Sequence, residues 1–288
     1  MKIAISAKIF EKMDIDSIIE ESARIGYQGI EFRDNPEQLP LGTSDEKIKQ
    51  VKRHLDDAHL AATSLASFTG YYADKDDTFC MKQLEDFRVF VQMASKIGAY
   101  NVRHWPGPFG LSSRKATESQ FERAAEWMAK ACDYAEGFGI KVAIELHHGT
   151  MEDTTTSALK LFNMINRKNL GFTPDNQNNY FDNEPYCEAC VERLGLDKIL
   201  NYHIKDVVVL PESGATPGSY AYNGRYFVMR PMNMGGVDQY GTINALKKIG
   251  YKSWVTIESS GLMTPLTLAE YEYGEVCKIF KHLGIERT

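Results

Sequence analysis

Apolar and polar residues alternate along the chain in two periods, and these predict strands and helices in turn. Eight short segments have apolar runs or a period of two, which is typical of β-strands. These segments are residues 2–7, 27–34, 61–68, 99–107, 140–149, 169–178, 199–210 and 251–261. Eight longer segments have apolar residues three or four positions apart, which is typical of amphipathic helices. They are residues 14–26, 44–60, 77–98, 117–139, 155–167, 184–198, 238–250 and 267–284.

The regular alternation of these segments predicts the fold class. Strands separated by helical segments indicate parallel βαβ units, and eight such units indicate a closed (β/α)8 barrel, the TIM barrel, rather than an open sheet. No low-complexity or linker-like stretch divides the chain, so residues 1–288 are predicted to form one barrel domain. The stretch 210–236 is longer than ordinary connections. We predict that it is an active-site loop that covers the site.

Composition and charge narrow the class of partner. The 288 residues are 43% hydrophobic, which is enough for one large core, and the net charge is -6. A negative chain argues against nucleic acid and against an anionic membrane surface as partners, because both favour a basic face. No apolar run approaches the roughly 20 residues of a membrane span. We therefore expect a cytoplasmic enzyme or binding protein with a small-molecule ligand, and whether it forms a homo-oligomer is open.

The five cysteines favour a reducing compartment, because an odd number at scattered positions does not suggest a disulfide framework. Cys187 and Cys190 have the C-x-x-C spacing of redox and zinc sites. No second pair accompanies them and the surrounding apolar period is helical, so we interpret both as ordinary helix cysteines.

Titratable side chains follow four successive predicted strands. Glu145 comes at the end of the fifth, Asp175 follows the sixth, His203 lies in the seventh and Glu258 follows the eighth. In a barrel of this class the active site is built at the carboxyl ends of the strands, so we expect the four side chains to meet. Three carboxylates and one imidazole, without thiolates, favour one divalent cation. Mn²⁺ is expected first, with Mg²⁺, Co²⁺, Zn²⁺ and Fe²⁺ as alternatives.

Other polar residues near the strand ends are candidates for substrate binding and catalysis. At the second and fourth strands we expect four residues to bind substrate hydroxyls or a phosphate: Glu31, Arg33, Arg103 and His104. His147 and Lys205 lie two residues after Glu145 and His203, so the period of a strand directs them into the same bowl. The intervening His148 is expected to point toward the helices.

Four motifs resemble one known family. They are VAIELHHG, GFTPDNQN, NYHIKDV and WVTIESS, which begin at residues 142, 171, 201 and 254. Together they are similar to the xylose isomerase-like TIM barrel superfamily, which includes sugar phosphate isomerases, D-tagatose 3-epimerase, inosose dehydratase and endonuclease IV. The resemblance implies that Glu145, Asp175, His203 and Glu258 hold a divalent metal. It also implies that the two glutamates act as acid and base on opposite faces of the substrate.

The resemblance leaves the reaction open. Epimerases of the tagatose type have a His at the position of Asn178 and an Arg at the position of Val209. Asn178 is still a candidate substrate-binding residue. The segment HIKDV, with Lys205, resembles inosose dehydratases, and so does the position of His147. A Lys and a His beside a ketone suit β-elimination, because one group removes the proton and the other assists loss of hydroxide.

These observations give four hypotheses. The preferred one is a divalent-metal-dependent isomerase or epimerase of a sugar or sugar phosphate, which transfers a proton next to a carbonyl. The alternative is a metal-dependent dehydratase, a lyase, acting on a keto-cyclitol or keto-sugar, with His147 and Lys205 as catalytic groups beside Glu145 and Glu258. A DNA-repair endonuclease of this fold needs three zinc ions and further histidine ligands, and seven histidines with a net charge of -6 argue against it. A protein that binds sugar without catalysis is the fourth.

Overall fold

Eight parallel strands form the centre of the computed structural model, which describes residues 1–211, 218–261 and 263–287. Their bounds are β1 (Lys2–Ser6), β2 (Gly29–Arg33), β3 (Ala61–Gly70), β4 (Asn101–Trp105), β5 (Lys141–Glu145), β6 (Leu170–Thr173), β7 (Asn201–Ile204) and β11 (Trp254–Ile257). Each overlaps a segment that the sequence predicts as a strand. Most residues of these strands are buried, because helices cover the sheet from outside.

The strands follow the order β6-β5-β4-β3-β2-β1-β11-β7, and all these neighbours pair in parallel. Between β6 and β7 the described residues form two isolated parallel bridges, Phe172 with Ile199 and Asp175 with His203. We call this junction the seam. The barrel is therefore nearly closed, and the prediction of a single (β/α)8 TIM barrel is confirmed.

Nine α-helices lie within the described ranges, and eight of them correspond to predicted helices. Their bounds are α1 (Ile15–Ile25), α2 (Asp45–Asp57), α3 (Asp77–Ile97), α4 (Glu118–Glu136), α5 (Thr155–Ile165), α6 (Asn176–Phe181), α7 (Glu188–Leu194), α8 (Gln239–Lys248) and α9 (Pro265–Leu283). The additional helix is α6, where the sequence pattern predicts the end of a strand. It begins there because the Asp175 side chain caps it by accepting the N–H of Asn178.

A small antiparallel sheet follows β7. It consists of β8 (Asp206–Leu210), β9 (Tyr220–Tyr222) and β10 (Arg225–Arg230) in the order β8-β10-β9. The predicted strand 199–210 is therefore two strands that separate at Lys205. The predicted loop 210–236 contains β9 and β10, while its residues 212–217 lie outside the described residues. The Asp206 carboxylate fixes the base of this sheet by accepting the N–H groups of Gly235 at 2.9 Å and Val237 at 3.0 Å.

Two further expectations from the sequence concern cysteines and membrane spans. Cys187 lies at the N-terminus of α7 and Cys190 lies inside that helix, and both are free thiols as expected. Across the described ranges, no helix combines the length and the apolar composition that crossing a membrane requires.

Gly70 lies where the backbone of β3 passes close to the backbone of β4. Its φ is +114°, and a Cβ at this position would lie 2.0 Å from the backbone oxygen of Trp105. Gly42 also has a positive φ, +88°, but a Cβ there would meet open space. Gly42→Ala is therefore expected to lose about 1 kcal/mol of unfolding free energy from backbone strain alone. Gly70→Ala is expected to lose several times as much, because the added carbon also collides with backbone. Urea unfolding of both variants measures this difference, and equal losses would contradict it.

Candidate metal centre

Four titratable side chains meet at the carboxyl end of the barrel, as the strand-end pattern predicts. Glu145 is the last residue of β5, Asp175 is the N-cap of α6, His203 lies in β7 and Glu258 directly follows β11. All four are buried, and one ligand atom from each lies within 4.8 Å of the others. Such a group could hold a divalent metal ion. We call these four residues the cluster.

The imidazole of His203 is the centre of the cluster. Its Nδ1 atom lies 3.8 Å from Glu145 Oε1, 3.8 Å from Asp175 Oδ2 and 3.6 Å from Glu258 Oε2. This buried nitrogen has no hydrogen-bond partner among the described residues. A buried nitrogen that faces three carboxylates without a partner fits a metal ligand, because a cation between them would bind all four groups.

Glu31 lies behind His203 and orients its ring. The carboxylate Oε2 accepts a hydrogen bond from His203 Nε2 at 3.0 Å and another from Asn201 Nδ2 at 3.1 Å. When Nε2 carries the proton, Nδ1 of the neutral ring has its lone pair directed at the cluster, an arrangement common in metal sites. We expected Glu31 to bind a substrate hydroxyl; in the structure its carboxylate is hydrogen-bonded to His203 instead.

The pKa of His203 shows that its surroundings attract positive charge. Burial alone would lower the pKa of this imidazole. The charge of Glu31 and the nearby carboxylates of Glu145 and Glu258 outweigh burial, and the pKa lies well above its usual value. Either a proton or a metal ion bound at Nδ1 would neutralise the same excess of negative charge. The donor set therefore fits a divalent cation on electrostatic as well as geometric grounds.

Arg103 holds Glu145 in its ionised form. Its Nη1 atom donates to Glu145 Oε2 at 2.6 Å, and both side chains are buried. Burial would raise the pKa of Glu145, but the charge of Arg103 and the nearby imidazole of His203 outweigh it and hold the pKa below its usual range. We expected Arg103 to bind substrate. Its Nε and Nη2 atoms have no partner among the described residues, so it retains donors for a ligand.

Lys205 lies between the other two carboxylates of the cluster. Its Nζ atom is 2.6 Å from Asp175 Oδ2 and 2.5 Å from Glu258 Oε2. Burial would raise the pKa of Glu258, but the charges of Lys205 and then Lys8 outweigh it and hold the pKa well below its usual range. Burial raises the pKa of Asp175, although Lys205 opposes this. Lys205 points into the bowl as predicted, and it does so as an ammonium ion paired with two carboxylates.

A second set of contacts connects Glu145 to the two histidines that follow it. The Asn178 side-chain amide donates to Glu145 Oε1 at 3.3 Å, and its oxygen pairs with His148 Nδ1 at 2.7 Å. His148, which we expected to point toward the helices, lies after the end of β5 and contacts Asn178 and Phe181 of α6. His147 is half-buried, and its Nδ1 pairs with the carbonyl oxygen of His148 at 2.9 Å.

His147 remains electrically neutral in this position. Burial, with a smaller effect of Lys205, lowers the pKa of His147 to about 4. Because its Nδ1–H donates to a backbone carbonyl, Nε2 carries the lone pair. Glu145 raises the same pKa, which places the ring within electrostatic reach of the cluster.

His104 does not belong to the site. We expected it to bind substrate beside Arg103, but neighbouring residues of a strand face opposite sides and only Arg103 faces the barrel interior. His104 is fully buried between Thr69, at 2.9 Å, and the Tyr72 hydroxyl, at 2.7 Å. Burial lowers its pKa to about 3. This histidine is a structural group of the layer between β4 and the helices.

The mouth of the site contains one predicted residue and two that the sequence interpretation missed. Arg33 is half-buried, and its guanidinium lies 5.2 Å from the Phe68 ring, which Arg103 also contacts at 5.0 Å. Lys8 lies 3.5 Å from Glu258 and is 34% exposed. Phe68 and Lys8 both lie at or just after the end of a strand. The strand-end pattern that identified the cluster would have identified them if β1 and β3 had been treated in the same way.

Comparisons with known proteins agree with this architecture. The sequence profile described as xylose isomerase-like TIM barrel matches residues 19–274. No curated protein matches the chain by sequence.

Three solved structures illustrate the similarity. The IolI protein with a bound zinc atom has a TM-score of 0.80 at 20% identity, covering 98% of this chain and 99% of that chain. An L-ribulose 3-epimerase has a TM-score of 0.80 at 14% identity, covering 98% and 95%. The probable 3-DHS dehydratase AsbF of Bacillus anthracis has a TM-score of 0.77 at 16% identity, covering 96% and 99%. At these identities the likeness concerns the fold.

Glu31→Gln tests whether the carboxylate behind His203 supports metal binding. The substitution keeps the shape of the side chain but removes its charge, so His203 is held less firmly and is a weaker ligand. We expect the affinity for Mn²⁺ to fall by about 10- to 100-fold, measured by calorimetric titration of metal-free protein. Glu272→Gln changes a buried carboxyl of α9 outside the cluster and is expected to keep the affinity. An unchanged affinity in Glu31→Gln would show that Glu31 does not support the site.

Proposed function

The chain belongs to the xylose isomerase-like TIM barrel family, and from this premise we propose that it is a divalent-metal-dependent isomerase or epimerase of a sugar or sugar phosphate. The reaction is a proton transfer at the carbon next to a carbonyl. The observation that carries the proposal is the cluster itself, in which the unpartnered Nδ1 of His203 faces three buried carboxylates.

In this proposal Glu145, Asp175, His203 and Glu258 hold one divalent ion, with Mn²⁺ expected first. When bound, such an ion polarises a carbonyl and its neighbouring hydroxyl and makes the adjacent C–H more acidic. The side chains of the protein then move the proton and position the substrate.

Glu145 and Glu258 are the proposed acid and base. Both carboxylates are buried and have a lowered pKa, so each is ionised at neutral pH and can accept a proton. Their counter-ions come from separate elements, because Arg103 of β4 pairs with Glu145 and Lys205 pairs with Glu258. One glutamate would accept the proton from carbon, the other would take up a proton from solvent and deliver it to the opposite face, and the first would then release its proton to solvent.

The remaining contacts suit a polyol. Arg103 has N–H groups without a partner beside Glu145, and the Asn178 amide donates to the same Glu145 carboxylate. Arg33 lies at the mouth of the site, where its guanidinium contacts the Phe68 ring. We propose that these three bind hydroxyls. The small antiparallel sheet of β8, β9 and β10 is the proposed cover of the site, because the Tyr220 hydroxyl of β9 lies 3.1 Å from His148 Nε2.

A metal-dependent dehydratase acting on a keto-cyclitol or keto-sugar is the second candidate. The observation in its favour is that Lys205 contacts Glu258 while the neutral His147 lies near Glu145. These two groups could serve as a further acid and base, which an elimination needs and a simple proton transfer does not.

Proton NMR in D₂O tests the proposed reaction. Manganese-loaded protein is incubated with ketohexoses, their phosphates and 2-keto-myo-inositol, and solvent deuterium is expected at the carbon next to the carbonyl. Glu145→Gln and Glu258→Gln are expected to lower this exchange by on the order of 10²- to 10⁴-fold and to lose bound metal. Glu126→Gln, an exposed residue of α4, is the control. Normal metal content and exchange in both cluster variants would refute the proposal.

His147→Ala separates the two candidate reactions. If the glutamates alone transfer the proton, the variant keeps exchange within about tenfold of the unchanged protein, because His147 is not needed for that step. If the protein is a dehydratase, loss of water from 2-keto-myo-inositol is detected and falls by on the order of 10²- to 10⁴-fold in the variant. The second outcome would assign the protein to the lyases.

A further inference from the structure

A cavity of about 610 Å³ has a lining that contains none of the four residues of the cluster. It is lined by the loop after β4, the loop after β5, the end of α6 and the turn between β9 and β10. These segments follow the carboxyl ends of strands, so the cavity opens at the same end of the barrel as the cluster.

The charged groups of this cavity are balanced. Three basic side chains line it, Arg114, Lys115 and Arg225, and so do three acidic ones, Asp153, Asp182 and Glu184. A phosphate or another anion would meet the acidic side chains, and a metal ion would meet the basic ones. The lining therefore favours a neutral ligand that both donates and accepts hydrogen bonds.

Several of these polar groups have unused hydrogen-bonding capacity. Asp153 Oδ1 and Asp182 Oδ2 are buried oxygen atoms without a hydrogen-bond partner among the described residues. Arg114 and Lys115 are exposed side chains of the same cavity. Unpaired carboxylate oxygens accept from hydroxyl groups, and exposed guanidinium and ammonium groups donate to them.

One aromatic ring adds an apolar surface to the same cavity. Tyr222 is half-buried and lines it, while Phe181, whose ring centroid lies 6.3 Å away, is buried. The Tyr222 ring is fixed because its hydroxyl donates to Asp182 Oδ1 at 2.8 Å. Carboxylates, basic side chains and an aromatic face together suit a sugar ring, which has hydroxyls at its edge and C–H groups on its faces.

His148 connects this cavity to the cluster. Its ring lies 4.6 Å from Phe181 and 4.7 Å from Tyr222, measured between centroids, while its Nδ1 pairs with Asn178. Asn178 in turn contacts Glu145. Gly149, which lines the cavity, is four residues after Glu145. Four residues span at most about 14 Å, which limits the separation of Gly149 from Glu145 to the scale of two linked sugar rings.

We propose that this cavity is a second sugar-binding subsite, which takes the non-reacting ring of a glycoside whose carbonyl-bearing ring lies at the cluster. The proposal rests on the proposed function and narrows its substrate class to glycosides of two or more rings, in place of free or phosphorylated monosaccharides. His148 lies between the two subsites and contacts both.

The test compares one-ring and two-ring ligands that do not react. Methyl glucoside, maltose, lactose, sucrose and glucose 6-phosphate are titrated into manganese-loaded protein and their dissociation constants are measured by calorimetry. At least one disaccharide is expected to bind about tenfold or more tightly than methyl glucoside, since each added hydrogen bond to a charged group contributes on that scale. Disaccharides that bind no more tightly than methyl glucoside would overturn the proposal.

Variants of two residues that line the cavity localise the effect. Arg114→Ala and Glu184→Gln are each expected to weaken disaccharide binding by about fivefold or more while leaving methyl glucoside unchanged. Arg53→Ala removes an exposed arginine of α2, far from the cavity in the sequence and on another helix, and is the matched control. Equal losses for one-ring and two-ring ligands, or a preference for glucose 6-phosphate that Arg114→Ala removes, would overturn the subsite.

The outcomes for the subsite and for the proposed reaction can be distinguished. If no ligand exchanges its proton with D₂O but disaccharides bind preferentially and lose affinity in the cavity variants, the proposed reaction fails and the subsite stands. If free ketohexoses exchange and disaccharides show no preference, the reaction stands and the subsite fails.

Discussion

The burial of four carboxylates next to one imidazole is the constraint on which the site depends. Glu31 and the three acidic members of the cluster are all at most 4% exposed, and burying a charge without compensation costs several kcal/mol or more. The fold compensates them with basic side chains from different strands. Arg103 pairs with Glu145, and Lys205 pairs with Asp175 and Glu258. The negative charge that these ion pairs leave uncompensated surrounds His203, which is why the four residues of the cluster suit a cation.

The fold itself could be predicted from the sequence, because its signals are local. Short apolar runs, helical periods and caps are properties of neighbouring residues, and parallel βαβ order follows from their alternation. The exceptions are also local. Asp175 caps a helix that the apolar pattern does not predict, and Lys205 interrupts a run that looks like one strand. In the first place a residue of the cluster ends the regular element, and in the second a residue that contacts the cluster does so.

The site could be predicted only in part, because side-chain directions depend on where each strand stops. The strand-end rule located the cluster, since residues at or near the ends of β5, β6, β7 and β11 bring their ligand atoms within 4.8 Å of one another. It did not separate Arg103 from His104, which face opposite sides of β4, or place His148, which lies beyond the end of β5. The position of Glu31 behind His203 depends on a contact between residues 172 positions apart. No local pattern contains such a contact.

The seam between β6 and β7 joins the two ends of the sheet, and one of its two bridges pairs Asp175 with His203. Both residues of that bridge belong to the cluster, so an ion held there would connect the first and last strands of the sheet order through their side chains. Closure of the barrel and occupation of the cluster are then thermodynamically linked. The concentration of free cation around the protein would in this way set how often the seam opens, and with it the rate of hydrogen exchange along its edges.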